Sequence, residues 1–324
     1  MKKIILCLSI LLCLIGCSNT DRNIIEELDE KINSLDGYNM AGTLEIYRNE
    51  DKYTYDVDSS YSKDDLYKVT LINKNNNHEQ IILKNKDGVY VLTPSLNKSF
   101  KFQSEWPYNN SQIYLLQPII LDLVNDKNST IEKVDDGYII TSKVNYTTEK
   151  DFINQKVYVD NDYNVNKVEV LDSNGNIRMK LVINNIDYNT KFDSGYFDES
   201  SYHTEPKEEE VMSKIEDIVY PLYIPTDTYL TNQDIVDTLK GERVILTFSG
   251  EEPFTVIQET LNDTNTVNYI YGDPYLILDT VGSITDSSVS WISNGIEYSV
   301  ISDNMPVSEI ITVAQSITVE ASVK

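Results

Sequence analysis

Cysteine and histidine are scarce in this chain, with three cysteines and two histidines among 324 residues. Transition-metal sites draw most of their ligands from those residue types, so little material exists for one. Histidine-based proton transfer is equally poorly supplied. Basic charge is also short. Twenty-seven Lys and Arg stand against 52 Asp and Glu, for a formal net charge of −25 and a pI near 4.3. A surface this acidic repels phosphate backbones, which excludes nucleic acid as a partner. Glycine-rich phosphate loops are absent, and no G-x-S-x-G or S-x-x-K context supports a nucleophile. What the chain does have is 40% apolar residues and 23 tyrosines against 12 glycines. That is enough for real cores and favours β-structure. The length suggests two domains.

One apolar run stands out. Lys2 and Lys3 precede Ile4 to Ile15, a run of 12 residues. A spanning helix needs about 20, so the run is too short to cross a bilayer and has the length of a secretory signal. It ends in Leu14-Ile15-Gly16-Cys17. This resembles the lipobox of bacterial lipoproteins; the alternative is an ordinary signal with an incidental cysteine. The resemblance implies that residues 1–16 are removed and that Cys17 becomes a lipidated first residue. Loss of the 16 leading residues would leave 308, and loss of Lys2 and Lys3 would take the formal charge from −25 to −27. Cys7 and Cys13 leave with the signal, so no disulfide or cysteine chemistry remains. Two acyl chains hold a protein stably at a membrane where one is marginal. The expectation is a lipid-anchored protein on the extracytoplasmic face, with residues 17–22 as a short tether of about 15–20 Å at full extension.

Ile24, Ile25, Leu28, Ile32 and Leu35 recur at helical spacing, and Asp36-Gly37 is a stop signal, which predicts a helix over 22–35. Period-two alternation follows, through Met40–Tyr47, Tyr53–Asp58, Tyr67–Leu71, Ile81–Leu83, Val89–Val91 and Phe100–Phe102. Short breaks at Asn49-Glu50-Asp51, Asn75-Asn76-Asn77 and Lys86-Asp87-Gly88 predict hairpins and an antiparallel meander. Asn109 to Asn125 interrupts it with a helical stripe, capped at Asn110 or Ser111 and kinked or split at Pro118. Strands resume at Tyr138–Val144, Phe152–Val159, Val165–Leu171 and Ile177–Tyr188. The charged run Glu205 to Glu210 marks a boundary: residues 23–203 form one domain, 204–212 an acidic linker and 213–324 a small α+β domain. In the latter, a short helix is predicted over Val211–Val219. Strands are predicted at Val244–Phe248, Phe254–Gln258, Asn268–Tyr271, Val289–Ile292 and Glu297–Ser302, and a helix within Pro306–Ser316.

Few residues invite a chemical role. Asp160-Asn161-Asp162-Tyr163-Asn164 begins like a calcium loop, but Val165 stands where that loop needs glycine and Leu171 where it needs glutamate. It reads as a hairpin turn, as does Asp172-Ser173-Asn174-Gly175. His78 and His203 have no paired ligand spacing. The acidic pairs Asp135-Asp136 and Glu251-Glu252 fall in turns and do not argue for a glycosidase dyad. Trp106-Pro107-Tyr108 reads as a core closure rather than an exposed contact. No catalytic, cofactor-binding or metal-ligating residue is assigned, and no cofactor is expected.

The order helix, meander, central helix pair, strands resembles the lipoprotein carrier fold of the LolA family, a half-open antiparallel barrel with helices in its concave face. The run Ile81 to Pro107 is similar to a Gram-positive subgroup of LolA-like envelope lipoproteins tied to sporulation and germination, the YdcC-type and GerS-like proteins. This likeness spans residues 21 to 200. Tyr220–Pro225, Arg243–Phe248, Pro253–Glu259 and Trp291 with Asn294–Tyr298 resemble the small domain of unknown function found in the YdcC-type subgroup. The resemblance implies a non-catalytic scaffold that binds an envelope protein partner such as a peptidoglycan amidase. The alternative is a carrier-like protein with an acyl-chain ligand in the half-barrel. Two points weaken that alternative: the lipid anchor would tether a shuttle, and the helices' apolar stripes suffice to fill the concave face themselves.

Overall fold

The computed structural model describes residues 18–48, 51–146, 149, 151–202, 214–238, 241–261, 267–277 and 280–317. Cys7, Cys13, Cys17, His203 and the acidic linker 204–212 lie outside the described residues, as do residues 49 and 50 of the first expected turn.

Helix α1 spans Ser18–Asn33. It starts earlier than its apolar stripe, because the polar head Ser18 to Asn23 holds no glycine or proline to stop it. Residues 18–22, expected as an extended tether, are therefore helical and advance only about 7 Å. Gly37 is not the helix cap that Asp36-Gly37 suggested. It opens strand β1 (Gly37–Arg48), where a Cβ would lie 2.9 Å from the carbonyl oxygens of Thr190 and Tyr61.

The meander continues as β2 (Asp51–Ser62), β3 (Leu66–Asn73), β4 (Glu79–Asn85), β5 (Gly88–Thr93) and β6 (Lys98–Phe102). Helix α2 (Leu116–Asn125) follows, then β7 (Thr130–Val134), β8 (Gly137–Lys143), β9 (Asn154–Asp160), β10 (Val165–Leu171) and β11 (Ile177–Asp187). Pro118 neither kinks nor splits α2. It sits in the first turn, where its missing N–H has no intrahelical partner to lose. The cap position falls at Leu115, not Asn110 or Ser111.

These strands form one antiparallel sheet in which β1 pairs with both β2 and β11. Inward residues from β1 to β6 and β8 to β11 share one apolar cluster with α1 and α2, so the sheet curls around the helices. It stays open, because β7 and the far edge do not pair with each other. This is the half-open antiparallel architecture with helices in its concave face that the sequence suggested.

The second sheet takes β12 (Thr228–Thr238), β13 (Gly241–Gly250), β14 (Phe254–Thr260), β16 (Asp273–Ile277), β17 (Thr280–Ile284), β18 (Ser288–Ser293) and β19 (Ile296–Ile301), in the order β12-β13-β14-β19-β18-β17-β16. Helix α3 (Val307–Gln315) packs on β18 and β19. Residues 214–219 are not helical, against expectation. Ile215 is buried in the second core, and the backbone N–H of Ile215 and Val219 bond the Glu242 and Gln258 side chains instead.

Strand β15 (Val267–Ile270) was expected in the second unit, yet it runs parallel to β6 and lengthens the first sheet to 12 strands. The two sheets are thus joined by hydrogen-bonded backbone as well as by side chains.

Candidate functional site

The concave face is filled. Ile24, Leu28 and Ile32 of α1 and Leu116, Ile119, Ile120 and Leu123 of α2 are all buried, together with Trp106. The Tyr38 hydroxyl lies among them. It accepts the Leu116 N–H at 3.1 Å and donates to Gln117 Oε1 at 3.1 Å. It thereby caps α2, whose own cap residue Leu115 has no side chain able to do so. Burial holds the Tyr38 hydroxyl far above the usual phenol range. Cavities at the junction of the two sheets measure about 20 and 50 Å³. A site for a small organic ligand needs roughly 300 Å³ or more.

Beside α2 lies an open groove of about 550 Å³. Its walls come from Pro107 and Tyr108, from Ser111, from Leu121 and Asp122 of α2, and from the end of β8 at Lys143 and Asn145. The Ser111 hydroxyl donates to Asp122 Oδ2 at 2.7 Å and accepts the Asn145 N–H at 2.6 Å. Asp126 holds the same wall by accepting the Lys143 N–H at 2.9 Å. Desolvation pushes the Asp122 carboxyl up to about 6, with the Ser111 hydrogen bond opposing it. Around this polar floor stand Tyr108 and Leu121, which are 46% and 41% exposed. A rigid polar floor with an exposed apolar rim is suited to recognition. The lining holds neither histidine nor cysteine.

Asp122 escaped the sequence reading. The available signal was one carboxylate within the otherwise apolar run Leu116 to Val124. Trp106-Pro107-Tyr108 divides: Trp106 is fully buried, as expected, whereas Tyr108 reaches the groove. The Asp160 loop is a turn. Asp160 accepts the N–H groups of Asp162 and Asn164 and the Asn164 amide. An ammonium takes the place that a cation would have. Lys31 Nζ donates to the carbonyls of Asp162 and Tyr163 and to Asn164 Oδ1, at 2.8–3.1 Å. Asp172 closes the same kind of turn with Asn174 and Asn176. His78 follows the turn after β3, and its N–H bonds Asn76 Oδ1. Asp135-Asp136 and Glu251-Glu252 lie in hairpin connections. Among the described residues, no group of three or more His, Cys, Asp or Glu could hold a metal ion. Among the same residues, no helix is long and apolar enough to cross a membrane.

Comparison with known proteins gives one strong likeness. The chain is 32% identical over 310 residues to a Bacillus subtilis (strain 168) protein described as sporulation protein YdcC, covering 94% of this chain and 92% of that one. No protein-family model matches the chain. Among solved structures, MucB in the Pseudomonas aeruginosa MucA/MucB complex is 14% identical at a TM-score of 0.34, over 93% of this chain and 99% of that one. The LolA superfamily protein NE2245 from Nitrosomonas europaea is 14% identical at a TM-score of 0.31, over 56% and 98%. The complex of the CwlD amidase from Clostridioides difficile with the GerS lipoprotein gives 19% identity at a TM-score of 0.28, over 53% and 94%. These overlaps are distant, and the family assignment rests on the sequence relative.

Proposed function

The chain belongs to the family of the Bacillus subtilis sporulation protein YdcC, and from that premise we propose that it is a non-catalytic envelope scaffold, docking a partner protein in the groove beside α2. The observation that carries this reading is the filled concave face. Apolar side chains of α1 and α2 occupy the volume that an acyl chain would need, while the rim residues Tyr108 and Leu121 stay open to a partner. The filled face weighs against the carrier reading, with an acyl-chain ligand.

In this proposal Cys17 carries the lipid, residues 1–16 are the removed signal, and the protein sits on the extracytoplasmic face of the membrane. Because α1 begins at Ser18, almost no slack separates the anchor from the half-barrel. The partner class implied by the sequence resemblance is a peptidoglycan amidase. Basic faces of such a partner would be steered to a mature surface of net charge −27, the −25 of the whole chain less Lys2 and Lys3.

The test is co-purification from sporulating cells. Tagged wild-type protein should retain an amidase that a Leu121→Asp variant loses at equal protein level. Equal recovery with both, or a normal spore cortex and germination without the gene, overturns the reading.

A further inference from the structure

Among the described residues, strand β12 is the outermost strand of the second sheet and pairs only with β13. It is 11 residues long, and every residue from Tyr229 to Asp237 is exposed, on both faces. An edge strand carries a row of unpaired backbone N–H and C=O groups, and folded proteins ordinarily blunt such rows with lysine, proline, shortness or cover. The other sheet edges here follow that rule. Strand β7 has five residues, with Glu132 and Lys133 among them. Strand β16 also has five and contains Pro274. The β6 edge is covered by this chain's own β15. Among the described residues, strand β12 has no lysine, no proline and no covering strand, and the Tyr220 hydroxyl touches it at Gln233 Oε1. Its one irregularity, between Leu230 and Asn232, leaves Asn232 to Thr238 in regular register with β13. Its surface is apolar and acidic. Tyr229, Leu230, Ile235 and Val236 are exposed, and residues 227–238 include Asp227, Asp234 and Asp237 with no Lys or Arg.

We propose that β12 is a strand-addition site for an extended, basic segment of a partner protein, in which lysine or arginine alternates with β-branched residues. The backbone row supplies affinity without sequence, and the alternating side chains supply choice. The three carboxylates select positive charge. They also select against a second copy of this chain, which would bring the same carboxylates together across the new pair. The site lies on the second sheet and does not depend on the groove beside α2.

The test uses purified full-length protein in detergent and a fluorescent peptide alternating lysine with valine, matched to the 11 residues of β12. A second peptide carries N-methyl groups on alternate amides, which keeps the charge and side chains but removes the hydrogen bonds of one edge. The proposal expects saturable binding and slowed amide deuterium exchange confined to residues 228–238. It expects affinity to fall at least about tenfold for the N-methylated peptide, and likewise for an Ile235→Lys variant of the protein. Both substituted and unsubstituted residues at 235 face solvent, so folding is not at stake; Asp64→Lys, on the β2–β3 turn, controls for charge alone and should retain binding. Equal binding of the N-methylated peptide, protection elsewhere, or no saturable binding overturns the proposal. So does protection of 228–238 that grows with concentration of the protein alone, which would assign the edge to a second copy.

Discussion

Gln80 on β4 and Val281 on β17, 201 positions apart, pair as though the side chain were a strand. Gln80 Oε1 accepts the Val281 N–H, and Gln80 Nε2 donates to the Val281 carbonyl at 3.2 Å. The Thr280 hydroxyl adds a third bond, to Gln80 Oε1 at 3.1 Å. All three groups are buried. Nearby, Ser104 donates to Asp273 across the same junction, and Glu149 accepts from both Arg48 and Tyr275. Together with the β15–β6 pairing, these contacts tie the two sheets to each other.

Removing Gln80 tests that coupling. Gln80→Leu keeps the volume but strands a buried N–H and carbonyl on Val281, which should cost about 2–4 kcal/mol. Urea unfolding followed by Trp106 and Trp291 fluorescence should change from one transition to two, with the second sheet melting first. A single transition shifted by less than about 0.5 kcal/mol would mean that the junction carries little of the coupling.

Tyr38→Phe tests the cap of α2. The Leu116 N–H loses its acceptor in a buried setting, and the expected loss is about 1–2 kcal/mol in global stability. Amide exchange at residues 116, 117 and 119 should accelerate more than exchange in α1.

Asp122 makes stability depend on pH in a defined direction. Its carboxyl is raised from 3.8 to about 6 by burial. Over that window the native state binds more protons than the unfolded chain, so its contribution to stability falls as pH rises and is fully lost above about 6. Asp122→Asn should remove that slope in thermal melts between pH 4 and 7. At pH 7 the variant should be more stable by about 1–2 kcal/mol, the full shift being discounted for the carboxyl's partial exposure. Unchanged slope would show that Asp122 is solvated in the groove.

Lys31 already holds the Asp160 turn, so calcium should leave the melting temperature unchanged. Lys31→Ala should lower stability by about 1 kcal/mol through loss of the three bonds made by the ammonium. A calcium-induced rise in the wild type would contradict this.

The half-barrel was largely legible because its strands have one buried face, and the alternation of Tyr53 to Asp58 or Tyr67 to Leu71 writes that face into the sequence. Strand β12 was not legible for the same reason reversed: with both faces exposed, Thr228 to Thr238 carries no alternation. Strands β16 and β17 contain Pro274 and Gly282, which read as breaks. Gly282 is needed because a Cβ there would meet the Ser290 carbonyl at 2.2 Å. Of the groove, Tyr108 was hidden by its neighbour: the sequence reads Trp106-Pro107-Tyr108 as core closure, which holds for the buried Trp106 and not for Tyr108. Asp122 was masked by the helical stripe around it, since only the fold brings Ser111 and Asn145 to it.

The most direct test of the scaffold reading is photo-crosslinking in sporulating cells from a diazirine side chain at Leu121, on the groove rim. A docked partner gives one discrete protein adduct that disappears when Tyr108, on the same rim, is changed to Ala. Phospholipid adducts alone, or no adduct at all, would contradict the scaffold reading.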